Sequence, residues 1–273
     1  MRRFLLIGIF GFLFGITFGQ GQHNFFSRSE LGPTIGGMFY LGDLNQFKPF
    51  YKSNLAGGIM YRYYHEPRIA FRGNFTIGNV EAYDSDSKIP LLLNRNLDFQ
   101  SQIIELSAGL EFNYWPFQVG SKKYPATAYM LVGIGGFYMN PYTVVDGDKV
   151  YLQPLGTEGQ GSPLGSRKYS NYQLCVPLGL GFKVTLGKVA SFNVEMAIRK
   201  TFTDYLDDVK SAYYLDPALL AQANGQQAAD LSNKSLDNSR FGRRGNPATK
   251  DWYVYFGGTL AFRLGKGSTC WHE

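Results

Sequence analysis

The sequence predicts an all-β fold: an eight-stranded antiparallel transmembrane β-barrel with long extracellular loops and short periplasmic turns. Segments of about a dozen residues alternate between apolar and polar side chains with a period of two, as β-strands do when one face of the sheet is apolar and the other is polar. Long and short connections alternate between these segments, which is typical of outer-membrane barrels. The 33 Gly and the 16% aromatic content favour turns and strands over helices.

The first segment is predicted to be a secretory signal peptide over residues 1–20. Arg2 and Arg3 precede an apolar run over residues 4–18, which is short for a membrane anchor. No Cys directly follows this run, so a lipoprotein anchor is not expected. The expected organisation is a barrel over 21–264 and a periplasmic tail over 265–273. The formal net charge is +6, but the basic residues form no stripe along the sequence. The charge therefore does not indicate nucleic-acid binding.

Eight strands are expected. They are residues 30–41, 53–64, 69 to the polar loop at 83–96, 99–114, 126–138, 173–186, 191–202 and 251–264. In the last of them, Trp252, Phe256 and Phe262 lie on one face, and Tyr253 and Thr259 lie on the other. The connections run long, short, long, short, long, short, long, so both termini are expected in the periplasm.

The polar faces predict a packed lumen, because eight strands enclose a space that side chains can fill. Buried charges are costly unless they are paired, so we expect an ion-pair network across the lumen. Its predicted members are Arg62, Arg72, Glu105, Glu111, Lys183, Glu195, Arg199 and Arg263. The functional alternative is a proton or solute pathway along the same carboxylates.

No catalytic site is predicted. Barrel enzymes place a His near the outer rim, whereas His23, His65 and His272 all fall at the periplasmic side of the predicted topology. The Gly-rich stretch 132–136 has no helix after it, so it is not a phosphate loop. Neither a cofactor nor a metal is expected.

The last long loop, between strands seven and eight, concentrates charge and carries a segment over 217–229 that favours a short helix. The charged residues that are candidates for loop contacts are Asp204, Asp207, Asp208, Arg240, Arg243 and Arg244. They indicate either a calcium or lipopolysaccharide site or a loop cross-linked by salt bridges. The spacing is not that of a known calcium loop, which favours salt bridges.

The two cysteines are expected to remain apart, because Cys175 begins strand six at the extracellular side and Cys270 follows strand eight in the periplasm. A disulfide needs Cα atoms within about 7 Å. Cys270 is therefore a candidate for an intermolecular disulfide, and Trp271 beside it offers a partner an aromatic anchor.

Four stretches resemble the PorG-like outer-membrane barrels of the type IX protein secretion system. They are LGPTIGGMFYLGDLN at 31–45, LDFQSQIIELSAGLEFNYWPF at 97–117, TDYLDDV at 203–209 and RRGNPATKDWYVYFGGTLAFRL at 243–264. The resemblance implies a non-enzymatic barrel that helps to hold a periplasmic ring, made by a lipoprotein and its partner protein, at the outer membrane.

The expected partner site is the tail, with Cys270, Trp271 and His272 contacting the ring lipoprotein and a disulfide through Cys270 as one means of attachment. Two alternatives stay open. One is a small channel or porter, and the other is a structural, lipopolysaccharide-binding barrel.

Overall fold

A computed structural model describes residues 28–46, 48–240 and 242–265. Eight long antiparallel strands form a closed barrel, in which every strand pairs with its neighbours along the chain and the first pairs with the last. The barrel strands are β1 (Ser29–Leu41), β2 (Asn54–Glu66), β3 (Ile69–Tyr83), β4 (Asp98–Asn113), β5 (Ala126–Tyr138), β8 (Tyr172–Leu186), β9 (Ala190–Thr201) and β10 (Trp252–Arg263). The predicted eight-stranded antiparallel barrel is confirmed, and each strand ends within two residues of its expected bound.

The outer wall of the barrel is apolar and exposed. Leu106 on β4 is 68% exposed and Ile134 on β5 is 63% exposed, although both are large hydrophobic residues. Their sequence neighbours Glu105 and Gly135 lie on the inner face, because successive residues of a strand alternate between its two faces. An apolar exterior around a charged, buried interior reverses the plan of a soluble protein and is the pattern of a barrel surrounded by lipid.

The two ends of the barrel differ. At the end that we call the loop end, four long connections cover the mouth: 42–53, 84–97, 139–171 and 202–251. At the other end, the turn end, the strands are joined by the short connections 67–68, 114–125 and 187–189, and the described chain starts and stops there at Arg28 and Gly265. This rhythm of connections matches the predicted one.

The loop-end connections contain secondary structure of their own. A hairpin of β6 (Tyr142–Val145) and β7 (Asp148–Tyr151) extends the sheet beyond β4 through a pair between Gln100 and Tyr142. The connections also contain four short α-helices: α1 (Pro90–Arg95), α2 (Leu152–Leu155), α3 (Pro217–Asn224) and α4 (Gln226–Ser232). None of the helices in the described ranges is long and apolar enough to cross a membrane.

The single helix expected over 217–229 is in fact the pair α3 and α4. Asp216 caps the start of α3 by accepting hydrogen bonds from the backbone N–H groups of Ala218 and Leu219. Gly225, with φ of 96°, separates the two helices in a conformation that favours glycine. The pair therefore turns where the sequence offers glycine.

The loop 42–53 also covers part of the outer wall. Phe39 faces outward on β1, as the alternation predicts, yet it is only 1% exposed. The ring of Phe50 lies 5.3 Å from the ring of Phe39 and 5.0 Å from that of Phe256 on β10. The loop thus folds back over the wall near the loop end.

Candidate functional site

The lumen is filled by charged side chains, and Glu111 on β4 lies at the centre of one group of them. Its Oε2 accepts a hydrogen bond from Arg62 Nε at 3.0 Å, and its Oε1 accepts one from Lys183 Nζ. Arg72 Nη1 is 3.6 Å from the same carboxylate. Glu111, Arg62 and Lys183 are all 0% exposed. One carboxylate therefore lies close to three buried cations.

Two further pairs continue the network along the barrel. Arg72 and Glu195 form a bidentate pair, with Arg72 Nη2 donating to Glu195 Oε1 at 2.9 Å. Nearer the loop end, Arg199 Nε donates to Glu105 Oε2 at 3.0 Å, and the Tyr253 hydroxyl donates to the same oxygen at 2.9 Å. Seven of the eight residues expected in the network are thus brought together in the lumen.

The eighth, Arg263, lies elsewhere. Its side chain reaches the turn end, where its guanidinium donates to the carbonyl oxygens of Lys188 at 2.7 Å and Val119 at 3.3 Å. The expectation of a lumen ion pair for Arg263 is therefore corrected. Alternation places it on the inner face opposite Glu30, but the Glu30 carboxylate is held by Arg62, Tyr64 and Ser191, and the Arg263 guanidinium bonds to turn carbonyls instead.

One carboxylate of the network was not predicted from the sequence. Glu30 on β1 accepts hydrogen bonds from Arg62 Nη1 at 2.8 Å and from the Tyr64 hydroxyl at 2.9 Å. It balances the lumen, which then holds four cations and four anions. The signal was present, because Glu30 alternates with outward-facing Leu31, but its partners become visible only once the barrel closes.

At the loop end the lumen meets a second polar cluster. The hydroxyl of Tyr40 is 2.6 Å from Asp207 Oδ2 and 2.8 Å from Asp251 Oδ1. A phenol has one hydrogen to donate, so one of the two carboxyls must be protonated and donate to the phenol oxygen. All three side chains are buried. The cluster of Tyr40, Asp207 and Asp251 therefore holds one carboxyl proton in addition to the phenol hydrogen of Tyr40.

The electrostatics of the cluster agree with this proton count. Burial raises the pKa of Asp207 well above the usual range of an Asp carboxyl, and the nearby charges of Asp251 and Asp43 raise it further. Burial raises the pKa of Asp251 in the same direction. The remaining oxygens accept backbone N–H groups, with Val209 donating to Asp207 Oδ1 at 2.9 Å and Leu206 to Asp251 Oδ2 at 3.0 Å.

Asp208 and Arg244 form the second half of this loop-end cluster. Asp208 accepts hydrogen bonds from the hydroxyls of Tyr169, at 2.7 Å, and Thr157, and burial raises the pKa of its carboxyl to about 6. Arg244 pairs with Glu158 and donates to the carbonyl of Ser232 at 3.1 Å. The segments 152–158, 204–209 and 244–251 are therefore held together by buried charges.

The other predicted loop residues contribute less. Asp204 Oδ2 lies 3.5 Å from Lys250 Nζ, and burial raises its pKa to about 6. Arg240 forms an exposed pair with Asp216 at 3.3 Å, and Arg243 is exposed. The structure thus brings Asp207, Asp208 and Arg244 into the buried cluster and leaves Arg240 and Arg243 on the surface.

In residues 28–46, 48–240 and 242–265, no group of three or more His, Cys, Asp or Glu side chains is arranged to hold a metal ion. Cys175 is buried and has no disulfide partner within those ranges. The predicted partner site of Cys270, Trp271 and His272 lies outside the described residues, as does the predicted signal peptide.

The turn end is closed by the connection 114–125, which folds inward rather than lying as a plain turn. Phe117 and Val119 are buried against lumen-facing Tyr64 and Ala70. The Lys183 ammonium lies 4.9 Å from the rings of both Phe117 and Tyr64. Phe117 therefore seals the lumen beneath its last charged pair.

Solved structures of bacterial surface proteins are similar to the chain over most of its length. The attachment invasion locus protein Ail of Yersinia pestis is 9% identical with a TM-score of 0.40, over 86% of this chain and 96% of that chain. The outer membrane protein OprG from Pseudomonas aeruginosa is 12% identical with a TM-score of 0.42, over 86% and 95%. Neisserial surface protein A is 8% identical with a TM-score of 0.41, over 87% and 97%.

No match is found among curated proteins. A family model described as a domain of unknown function, DUF6089, matches residues 9–214, which is well over half of the chain. The chain belongs to the DUF6089 family.

Proposed function

We propose that this protein is a non-enzymatic outer-membrane component of the type IX protein secretion machinery, which anchors or stabilises a periplasmic lipoprotein ring at the outer membrane. In this proposal the turn end faces the periplasm and the loop end faces the outside. The secretion role is supported by the resemblance of residues 31–45, 97–117, 203–209 and 243–264 to PorG-like barrels.

The observation that carries an anchoring role, rather than a transport role, is the packed lumen. All eight of its charged side chains are at most 8% exposed, and they are paired with one another. A water-filled channel would leave such groups accessible to solvent. The described residues also cover both mouths, with the loop-end cluster above and Phe117 below. A barrel of this kind acts through its end surfaces.

The stretches that carry the resemblance include loop-end structure as well as barrel strands. TDYLDDV supplies Asp207 and Asp208 to the buried cluster, and the stretch that begins at Arg243 supplies Arg244 and Asp251 to it. The motifs therefore have a structural role in closing the loop end. This leaves the turn end and the tail for contact with a periplasmic partner.

The first test of the proposal concerns the tail. Deletion of residues 266–273 is expected to leave the barrel folded and to release the ring from outer membranes, which co-purification with the ring lipoprotein measures. A ring that stays attached to the truncated barrel would contradict tail-mediated anchoring.

The disulfide is tested separately by non-reducing electrophoresis of outer membranes. A heavier wild-type band is expected, lost on reduction, absent in Cys270→Ser and retained in the matched variant Cys175→Ser, because Cys175 is buried in the lumen. If all three proteins run as monomers, attachment is noncovalent. In planar bilayers the packed lumen predicts no conductance, whereas steady unitary currents would favour the channel alternative.

A further inference from the structure

A cleft of about 350 Å³, which we call the rim cleft, opens at the loop end where β1 ends and β10 begins. Its walls include Leu41, Asp43, Gln46, Asn246, Lys250 and Trp252. Leu41 and Trp252 are the last outward-facing residues of their strands at this end, whereas the other four belong to the loop-end connections 42–53 and 202–251. The cleft therefore lies at the boundary between the apolar wall and the loop-end structure.

Trp252 contributes an aromatic ring to one side of the cleft. In the paired strands it lies between Lys200 on β9 and Leu41 on β1, and the cleft is on the β1 side, because Leu41 lines it. The Lys200 ammonium is 5.8 Å from the centre of the Trp252 ring, which is only partly buried. Trp is common where a barrel wall meets the membrane surface, which accounts for the ring but not for the polar cleft beside it.

The polar walls of the cleft are held in place by hydrogen bonds within the chain. The backbone N–H of Asn246 donates to Asp43 Oδ2 at 2.8 Å and so joins the two connections. Gly42 and Asn45 exchange backbone hydrogen bonds at 3.1 and 3.2 Å, and the N–H of Thr249 donates to the carbonyl of Asn246 at 3.2 Å. The cleft is therefore formed before any ligand enters it, which lowers the ordering cost of binding.

The side chains of the cleft offer both donors and acceptors beside the aromatic ring. A side-chain amide carries two N–H donors and one acceptor oxygen, and the cleft has two amides, on exposed Gln46 and half-buried Asn246. Lys250 adds an ammonium group, which is 40% exposed although it lies 3.5 Å from Asp204. An apolar ligand would leave the amides without partners, and a small anion would make no use of the ring.

We infer that the rim cleft binds a saccharide. The hydroxyls of a sugar both donate and accept hydrogen bonds, and the C–H groups of its ring pack against an aromatic face. The volume of about 350 Å³ is near the lower end of the usual range of small-molecule sites, about 300–1,000 Å³, which suits a short stretch of a glycan.

The position of the cleft indicates two sources of such a sugar. The long loops of outer-membrane barrels face the outside, where sugars occur as the headgroups of lipopolysaccharide and as free surface polysaccharide. Both sources present the same chemistry to the cleft. The inference uses the proposed orientation of the barrel but does not depend on a role in secretion.

The test uses the full chain in nanodiscs of phosphatidylcholine, with binding measured by isothermal titration calorimetry. One probe is the core oligosaccharide of the host lipopolysaccharide, freed of lipid by mild acid, and the other is soluble oligosaccharide from the host surface polysaccharide. Trp252→Leu is expected to weaken binding about 3- to 10-fold through loss of the ring. Gln46→Ala with Asn246→Ala is expected to weaken it about 10- to 100-fold through loss of hydrogen bonds.

Each cleft variant has a matched control, and all variants are first checked for the folded band on unheated gels. Trp115→Leu removes an exposed ring near the turn end. Asn79→Ala with Gln102→Ala removes two exposed amides that pair across β3 and β4. Both controls are expected to bind as the wild type does. The amide variant keeps the backbone N–H of residue 246 that holds Asp43, so it tests the inference even if Trp252→Leu does not fold.

Binding of the core oligosaccharide that is weakened in the cleft variants and kept in the controls would support the lipopolysaccharide headgroup as the ligand. The same pattern with the surface polysaccharide alone would support a free glycan. If neither probe binds the wild type, or if both cleft variants bind with unchanged affinity, the inference is overturned while the proposed function stands.

Tryptophan fluorescence locates the bound sugar, because the chain has three Trp. Replacing Trp115 and Trp271 with Phe leaves Trp252 as the reporter, and saturating probe is expected to reduce the quenching of its fluorescence by acrylamide. In the matched protein Trp252 and Trp271 are replaced with Phe, and quenching of Trp115 is expected to stay unchanged. Protection of Trp115 without protection of Trp252 would overturn the inference, because the sugar would then bind elsewhere.

Discussion

Replacing Glu111 with Gln keeps the shape of the side chain and removes the charge at the centre of the lumen. Glu111 is fully buried and faces Arg62 at 3.0 Å, Arg72 at 3.6 Å and Lys183. Removal of one partner from a buried pair costs about 3–5 kcal/mol, because it leaves an uncompensated buried charge. The free energy of unfolding is expected to fall by about that amount, a large part of a typical total of about 5–15 kcal/mol.

The assay is equilibrium urea unfolding in detergent micelles, followed by tryptophan fluorescence and by the mobility of the folded band on unheated gels. A second variant, Glu111→Gln with Lys183→Met, removes the cation left without a partner. The thioether of Met packs well among the rings of Phe117 and Tyr64 that surround Lys183 Nζ. At least half of the lost stability is expected to return.

The exposed pair between Lys52 and Asp86, at 3.3 Å, provides the reference. Asp86→Asn is expected to cost less than about 1 kcal/mol, as exposed ion pairs do. If Glu111→Gln costs as little as Asp86→Asn, or if the double variant is less stable than the single one, the lumen charges are not a coupled buried network.

Two other predictions concern the ends of the barrel. Burial first, and the charge of Asp251 next, raise the pKa of Asp207. Protease resistance of the loop 202–251 is therefore expected to fall as pH rises above the ordinary Asp range, and Asp207→Asn, whose side-chain amide stays neutral beside the Tyr40 hydroxyl, is expected to abolish this dependence. A fall that persists in the variant would refute the shared proton. Phe117→Ala is expected to cost about 3–5 kcal/mol by urea unfolding, since it opens a cavity beside Lys183, and an unchanged midpoint would show that the connection 114–125 does not seal the lumen.

Periodicity predicted the barrel strands well, because apolar and polar faces alternate along all of them. It did not reveal the β6–β7 hairpin, although the sequence carries a signal for it. Asp146 and Gly147 both have positive φ, at 51° and 92°, which is the two-residue turn that Asp-Gly favours. The surrounding Gly- and Pro-rich composition indicated only a loop.

The functional clusters were harder to predict, because their members come together only through closure and loop folding. The sequence showed that Asp207 and Asp208 are acidic neighbours, but not that they point to different partners, Tyr40 and Thr157. Similarly, the alternation placed Phe39 correctly on the outer face, while its burial depends on where Phe50 folds. An alternation with a period of two predicts which face of a strand each side chain occupies. Contacts at the ends of the barrel depend instead on how the loops fold.

The pairing of β1 with β10 has a consequence for how the protein enters a membrane. Leu31 pairs with Phe262, so the closing contact joins residues from opposite ends of the chain, whereas the other barrel pairs are between consecutive barrel strands. Closing a long loop costs more entropy than forming a hairpin, so we expect this seam to form last. Until residues 252–263 join it, β1 and β9 expose unpaired backbone groups that hydrocarbon does not tolerate. We therefore expect membrane insertion and barrel closure to be coupled, because the pairing of β10 with β1 and β9 satisfies the last of these backbone groups.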